Sequence, residues 1–270
     1  MMRDWDDAYA NMAHVPGSDA LPGLWAAQAA QYRASGVRLD TGLRYGAGAR
    51  ETFDLVWPDS TPRGLAVFVH GGYWMKLDPS LWTHLAEGAR ARGWAVALPG
   101  YTLAPEARIG AITAQIGAAV TAAAAQVAGP VRLAGHSAGG HLVTRMLCAD
   151  SPLAPDLRER LAHVTSISGV HDLRPLLHTQ MNATLRLDLA QARTESPALA
   201  EPFGAVPLHV WVGGSERPEF IRQAELMANV WSGFDPAPAL TIDPGHNHFT
   251  VIDALGDPAS PLTRAFAGDA

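Results

Sequence analysis

The chain has 270 residues, 48% of them apolar and 17% charged. That is enough for one sizeable α/β domain and excludes a disordered or fibrous class. A net charge of −6 provides no basic footprint for nucleic acid, and a single cysteine, Cys148, excludes an internal disulfide and reads as a small buried hydrophobe. No Cys/His spacing predicts a metal site. The start, MMRDWDDAYANM, is acidic and has no apolar core of a signal peptide. No apolar run is long enough to span a bilayer, so the expected compartment is the cytoplasm.

In chain order, the first forty residues predict a helical arm packed near the functional site, docked by Trp25 and Tyr32 on one helical face. TFDLVW (52–57) and GLAVFV (64–69) read as strands, LWTHLAEGARAR (81–92) as a helix stopped by Gly93, and WAVAL (94–98) as the next strand. Ile109, Ile112, Ile116, Val120, Ala123 and Val127 recur at three and four residues, one face of a helix packed on a sheet. VRLAG (131–135) predicts a strand, followed by a helix over about 138–149. HVTSIS (163–168), LHVWVG (208–213) and ALTI (239–242) complete the strands. A helix fits between the last two, with Phe220, Ala224, Met227 and Trp231 on one face. Residues 171–206 exceed an ordinary connection and read as a small helical cap. Alternating β and α with near-continuous apolar strands predicts a mostly parallel sheet covered on both faces, with ligands beyond the strands' carboxyl ends.

Two glycine-rich motifs fall at such ends. GHSAGG contains Gly135, Ser137 and Gly139 between a predicted strand and a predicted helix. In that context G-x-S-x-G is a nucleophile elbow, a tight turn that exposes Ser137 Oγ and needs small residues two before and two after. His136 and His141 read as packing or hydrogen-bonding residues. A serine attacking a carbonyl needs donors for the oxyanion it creates. Ala138 N–H is one; HGG (70–72) provides others, since Gly71 and Gly72 leave no Cβ in the way. Tyr73 and Trp74 follow directly and are candidates for the wall of a substrate pocket, with one of them in the core as the alternative.

A base and an acid must follow the serine in that order. His248, in GHNHF after the last strand and just before the apolar stretch expected to begin the final helix, is the expected base, with His246 in reserve. The acid belongs after LHVWVGG, where Glu216 comes first; Glu219 is the rival, placed in the first turn of a helix starting at Pro218. Asp172 lies at another strand end and serves as a cap anchor or a less favoured acid. No metal and no cofactor are implied, because this chemistry needs only water.

With these residues assembled, the chain resembles the α/β-hydrolase superfamily in its esterase branch with an HGG oxyanion loop. More narrowly it resembles the kynurenine formamidase (arylformamidase) group, through HGGYW, GHSAGG, VGGSERPEF and the pair His248-Phe249. AYANMAHVPG and NATLRLDLAQARTESP are similar in a less specific way. The resemblance implies an α/β-hydrolase fold over most of the chain, with Ser137, Glu216 and His248 as the triad. It also implies release of formate from an N-formylkynurenine-type aryl formamide. One departure stands out: eukaryotic formamidases carry Asp at the acid position, and this chain carries Glu216. A short-chain carboxylesterase is the alternative, and a ligand-binding protein with a silent triad is the reading from another class. The expected partner is a small-molecule substrate, with a homodimer left open.

Overall fold

A computed structural model describes residues 3–269. Eight strands form one sheet: β1 (Leu39–Arg44), β2 (Thr52–Val56), β3 (Leu65–Val69), β4 (Ala95–Pro99), β5 (Val131–His136), β6 (Leu161–Ile167), β7 (Leu208–Gly213) and β8 (Ala239–Asp243). Their order is β1-β2-β4-β3-β5-β6-β7-β8. β1, β2 and β4 pair antiparallel, and every other pair is parallel. The helices are α1 (Trp5–Ala8), α2 (Leu21–Arg33), α3 (Glu87–Ala91), α4 (Ile109–Ala124), α5 (Ala138–Arg145), α6 (Pro155–Arg160), α7 (Asn182–Leu185), α8 (Leu189–Thr194), α9 (Pro218–Trp231) and α10 (Pro261–Ala267). The doubly covered parallel sheet expected from the β/α alternation is the observed architecture.

The core lies on both faces of the sheet because its central strands are apolar throughout. All five residues of β3 and of β4 are buried. One core layer takes Ile109, Ile112, Ile116 and Val120 of α4 together with Phe220, Ala224, Met227 and Trp231 of α9. The opposite layer takes Trp25 of α2, Trp82, Trp94 and Phe266 of α10.

The connection reverses direction at β3. β4 lies on one side of it and β5 on the other, so β3 and β5 are parallel neighbours with Val69 opposite Gly135. That is a topological switch point, where the loops beyond adjacent strands diverge and leave a crevice. HGG follows β3 and Ser137 follows β5, so strand order alone brings them together.

Four expectations change. β1 is a strand where the arm was expected to end; it is a largely exposed edge strand interrupted at Gly42 (φ +67°), whose N–H donates to Asp54. Its polar residues and its bulge remove the alternation that marks a strand. Residues 81–92 are not one helix. Two 3₁₀ turns, Pro79–Leu81 and Thr83–Ala86, precede α3, because Trp82 leaves helical geometry (φ −120°, ψ 7°) to place its ring 4.7 Å from Trp25. The helix over 138–149 ends at Arg145. The helix expected to follow His248 directly begins only at Pro261, since Asn247 Oδ1 accepts from the N–H of Phe249 and Thr250 and closes a turn there.

The segment 171–206 folds as α7, α8 and two 3₁₀ turns, with Leu173, Leu176 and Leu185 fully buried against the core. In the arm, Trp25 packs on Trp82 and Phe249, and the Tyr32 hydroxyl donates to Glu87 at 2.6 Å.

Candidate active site

Ser137 connects β5 to α5 with φ 55° and ψ −116°, a left-handed backbone that a serine adopts only where its surroundings enforce it. The flanking glycines explain how. A Cβ on Gly139 would stand 1.9 Å from Val69 O, and one on Gly135 would stand 2.2 Å from Gly139 O. The turn can close over β3 only without those atoms.

The HGG loop lies against this turn. A Cβ on Gly71 would come within 2.9 Å of Ser137 Cβ and 2.8 Å of His136 O. Gly72 has φ +107°, and Tyr73 and Trp74 follow at +52° and +56°. His70 and Tyr101 brace the loop. The His70 ring stacks on Tyr101 with centroids 4.5 Å apart, His70 Nδ1–H donates to Gly71 O at 2.7 Å, and the Tyr101 hydroxyl donates to His70 O at 3.0 Å. Burial pushes His70 down to about 4, so its ring is neutral at pH 7. Among the described residues, the N–H groups of Gly71, Gly72 and Ala138 donate to no protein acceptor. Gly71 lies against Ser137, and unengaged N–H groups of this kind are what an oxyanion requires.

His248 and Glu216 meet from the loops after β8 and β7. Glu216 Oε2 pairs with His248 Nδ1 at 2.6 Å, and both side chains are almost wholly enclosed. The other oxygen, Oε1, accepts from Gly213 N–H at 2.8 Å and from the Ser168 hydroxyl at 2.5 Å. The carboxylate is therefore fixed on three sides and fixes the imidazole with its proton on Nδ1, leaving Nε2 free for a proton transfer. The His248 ring packs 4.4 Å from Phe220 and 4.6 Å from His136, centroid to centroid. His136 Nε2–H donates to the carbonyl of His248 at 2.8 Å, which ties the base loop to the residue before Ser137. Burial holds the His136 ring neutral, well below the usual imidazole range. No hydrogen bond joins Ser137 Oγ to His248 among the described contacts; in a free site this bond is often long and tightens with substrate bound.

The remaining candidates separate cleanly. Glu219 is fully buried and does not touch His248. It accepts from the Tyr9 hydroxyl at 3.0 Å, from Gln223 at 2.9 Å and from Arg222 and Arg3, so it anchors the arm to α9 rather than merely capping a helix. Asp172 pairs with Arg174 at 2.9 Å. His141 Nε2–H donates to Glu195 O at 2.6 Å, and burial pushes the ring down to about 3. Cys148 is buried, its thiol pushed up to about 11. Trp74 is a correction. It is completely enclosed, edge-on to His141 at 5.1 Å, and belongs to the core, the alternative weighed for this pair of aromatics. Tyr73 is half-buried, and its hydroxyl donates to Tyr9 O at 2.6 Å.

A cleft of ≈ 260 Å³ opens beside His248, lined by Asn11, His14, Val15, Ser215, Glu216, Arg217 and Asn247 as well. Tyr73 and Trp74 do not line it. Its outer wall comes from the arm, held by an ion pair of Asp7 with Arg217 and by His14 on Asp7 at 2.7 Å. Sequence reasoning missed Ser168, Tyr9 and Asn11 and read Phe220 only as part of a helix face. Ser168 directly follows β6, a signal that could have drawn attention to it; Tyr9 and Asn11 fall in AYANMAHVPG, where only the family resemblance marks them, since their partners stand far along the chain. Among the described residues, no group of three or more His, Cys, Asp or Glu is placed to hold a metal, and no helix is long and apolar enough to cross a membrane.

Comparison with known proteins agrees with this geometry. Residues 66–204 match the model of an α/β-hydrolase fold family. Kynurenine formamidase of Salmo salar is 27% identical over 236 residues, covering 82% of this chain and 78% of that one. Kynurenine formamidase of Drosophila melanogaster is 27% identical over 243 residues, covering 85% and 80%. Among solved structures, a "putative thioesterase" from Silicibacter sp. TM1040 is 47% identical with a TM-score of 0.93, covering 98% of this chain and 99% of that one. Esterase B of Lactobacillus rhamnosis is 18% identical with a TM-score of 0.69, covering 92% of each chain, and shares the fold. From the match of the family model over half its length and the 47% identical structure over nearly all of it, this chain belongs to the α/β-hydrolase fold family.

Proposed function

We propose that the protein is a serine hydrolase that removes a formyl group from an aromatic amine, an arylformamidase for substrates of the N-formylkynurenine type. The observation that carries this reading is the similarity to proteins named kynurenine formamidase over more than four fifths of the chain. The Glu216–His248 pair beside the Ser137 turn supports it.

In this reading His248 Nε2 takes the proton of Ser137 Oγ as the oxygen attacks the formyl carbon. Glu216 holds the tautomer and stabilises the imidazolium. Gly71, Gly72 and Ala138 N–H hold the oxyanion, each donor contributing about 10²–10³ in rate. His248 then protonates the departing amine, activates water and regenerates Ser137, releasing formate. The substrate is a small molecule, and the cytoplasm is the compartment in which we place the reaction.

The 47% identical structure bearing a thioesterase name favours a second reading, hydrolysis of a short-chain ester or thioester by the same residues. Steady-state hydrolysis of N-formylkynurenine beside p-nitrophenyl acetate and butyrate separates the two. The proposal expects the higher kcat/KM on the formamide; turnover of esters alone would replace it by the carboxylesterase reading. Ser137→Ala is expected to lower kcat at least about 10⁴-fold on every substrate, and activity surviving it would sink the mechanism.

A further inference from the structure

The end of β6 stands between the strand that leads to Ser137 and the strand that leads to Glu216. Ile167 O accepts from the Ser137 N–H at 2.8 Å, and the next residue, Ser168, donates its N–H to Trp211 O on β7 at 2.7 Å. Ser168 is completely buried, and its hydroxyl donates to Glu216 Oε1 at 2.5 Å. It holds that place with φ +52°, a backbone that glycine adopts freely and a serine adopts only under constraint. Glu216 gives the reason for such a residue. A glutamate has one more rotatable bond than an aspartate, so Oε2 stays on His248 Nδ1 only if the rest of the carboxylate is held. The Gly213 N–H is a single bond to Oε1 and leaves the group free to swing about it. The Ser168 hydroxyl meets the same oxygen from the neighbouring strand end and removes that freedom.

We infer that Ser168 is a positioning residue of the triad: its hydroxyl holds Glu216 in the orientation that presents Oε2 to His248, and the strained backbone at 168 is kept for that hydroxyl. The inference rests on Ser137, Glu216 and His248 acting together and on no particular acyl group. Being wholly buried, Ser168 acts through Glu216 and not on substrate. Its effect therefore falls on kcat rather than KM, and by a similar factor for a formamide and an ester, since both need the same oriented imidazole.

Two variants separate the hydroxyl from the backbone. Ser168→Ala keeps the Cβ and the strained φ but loses the hydroxyl; Ser168→Gly loses the hydroxyl and relieves the strain. Both are expected to lower kcat about 10–10²-fold, with KM within about twofold of wild type, on each of N-formylkynurenine and p-nitrophenyl acetate that the wild type cleaves. Introduced into Glu216→Gln, Ser168→Gly is expected to lower kcat by less than about twofold further, because the hydroxyl then has no carboxylate to place. Circular dichroism reports whether each variant is folded. Wild-type kcat in either single variant, a change confined to KM, an undiminished loss in the Glu216→Gln background, or loss of the fold in both single variants overturns the inference and leaves the hydrolase reading standing. A wild-type protein that cleaves neither substrate, or a Glu216→Gln variant that keeps the full rate, overturns the triad reading and the inference with it.

Discussion

The turn around Ser137 and the N-terminal arm are held by opposite means. The turn is held by covalent neighbours and missing atoms. Gly135 and Gly139 vacate the space that Val69 O and Gly139 O occupy, and two adjacent parallel strands supply the rest. The arm is held by contacts between residues some two hundred positions apart: Tyr9 on Glu219 and Gln223, and Asp7 on Arg217. The first region tolerates no added volume, and the second rests on polar pairs, buried around Glu219 and half exposed at Asp7. The Ser137 turn sits where geometry is enforced sterically, and the arm that walls the cleft is held by side-chain pairs.

The largest test of that contrast sets two carboxylates three residues apart against each other. Glu216→Gln should lower kcat by about 10⁴, because the amide cannot hold the productive imidazole tautomer, with little change in the urea midpoint. Glu219→Gln should do the reverse: a loss of about 1–3 kcal/mol in urea unfolding, with kcat reduced far less. Equal kinetic loss in both would erase the distinction between reacting site and anchor.

Gly139→Ala tests steric enforcement. A methyl 1.9 Å from Val69 O forces the turn off β3. Urea unfolding is expected to show a loss of about 1–3 kcal/mol, with activity lost alongside. A variant of wild-type stability would show that the turn is more yielding than its contacts indicate.

His70 sharpens the comparison through pH. Burial lowers its folded pKa to about 4 from an ordinary 6.5. The unfolded chain binds the proton first as pH falls, so the stability from a neutral His70 is whole above about pH 6.5 and declines between about 6.5 and 4. The slope is at most about 1.4 kcal/mol per pH unit for this one group. Urea midpoints from pH 7.5 to 4.5 should fall, and His70→Gln should flatten the fall by about one proton. An unchanged slope would place the acid sensitivity in other groups, such as His141 or His171.

The smallest effect belongs to the arm's rim. Asp7 is half exposed, so Asp7→Asn should leave the urea midpoint almost unchanged. A larger loss would mean that the arm folds as one piece with the site.

Some of this molecule is readable from sequence because its causes are local. Strand identity follows from continuous apolar runs, as in β3, β4 and β7. The HGG loop and the GHSAGG turn are legible because backbone crowding there admits only glycine, and that requirement is written at fixed offsets in the chain. β1 was illegible because an exposed edge strand with a bulge at Gly42 need not alternate. Helix 81–92 was misjudged because the packing of Trp82 on Trp25 overrides helical propensity.

The sequence by itself determined a doubly wound sheet, a serine on a tight turn at a strand end, and histidine and acid candidates in order behind it. Only the tertiary structure paired Glu216, and not Glu219, with His248, moved Trp74 into the core, and brought Asn11 to the cleft beside His248. Strand period and glycine clearance are properties of neighbouring residues. The choice of hydrogen-bond partner for a buried carboxylate or amide depends on which distant atoms the fold leaves within 3 Å of it.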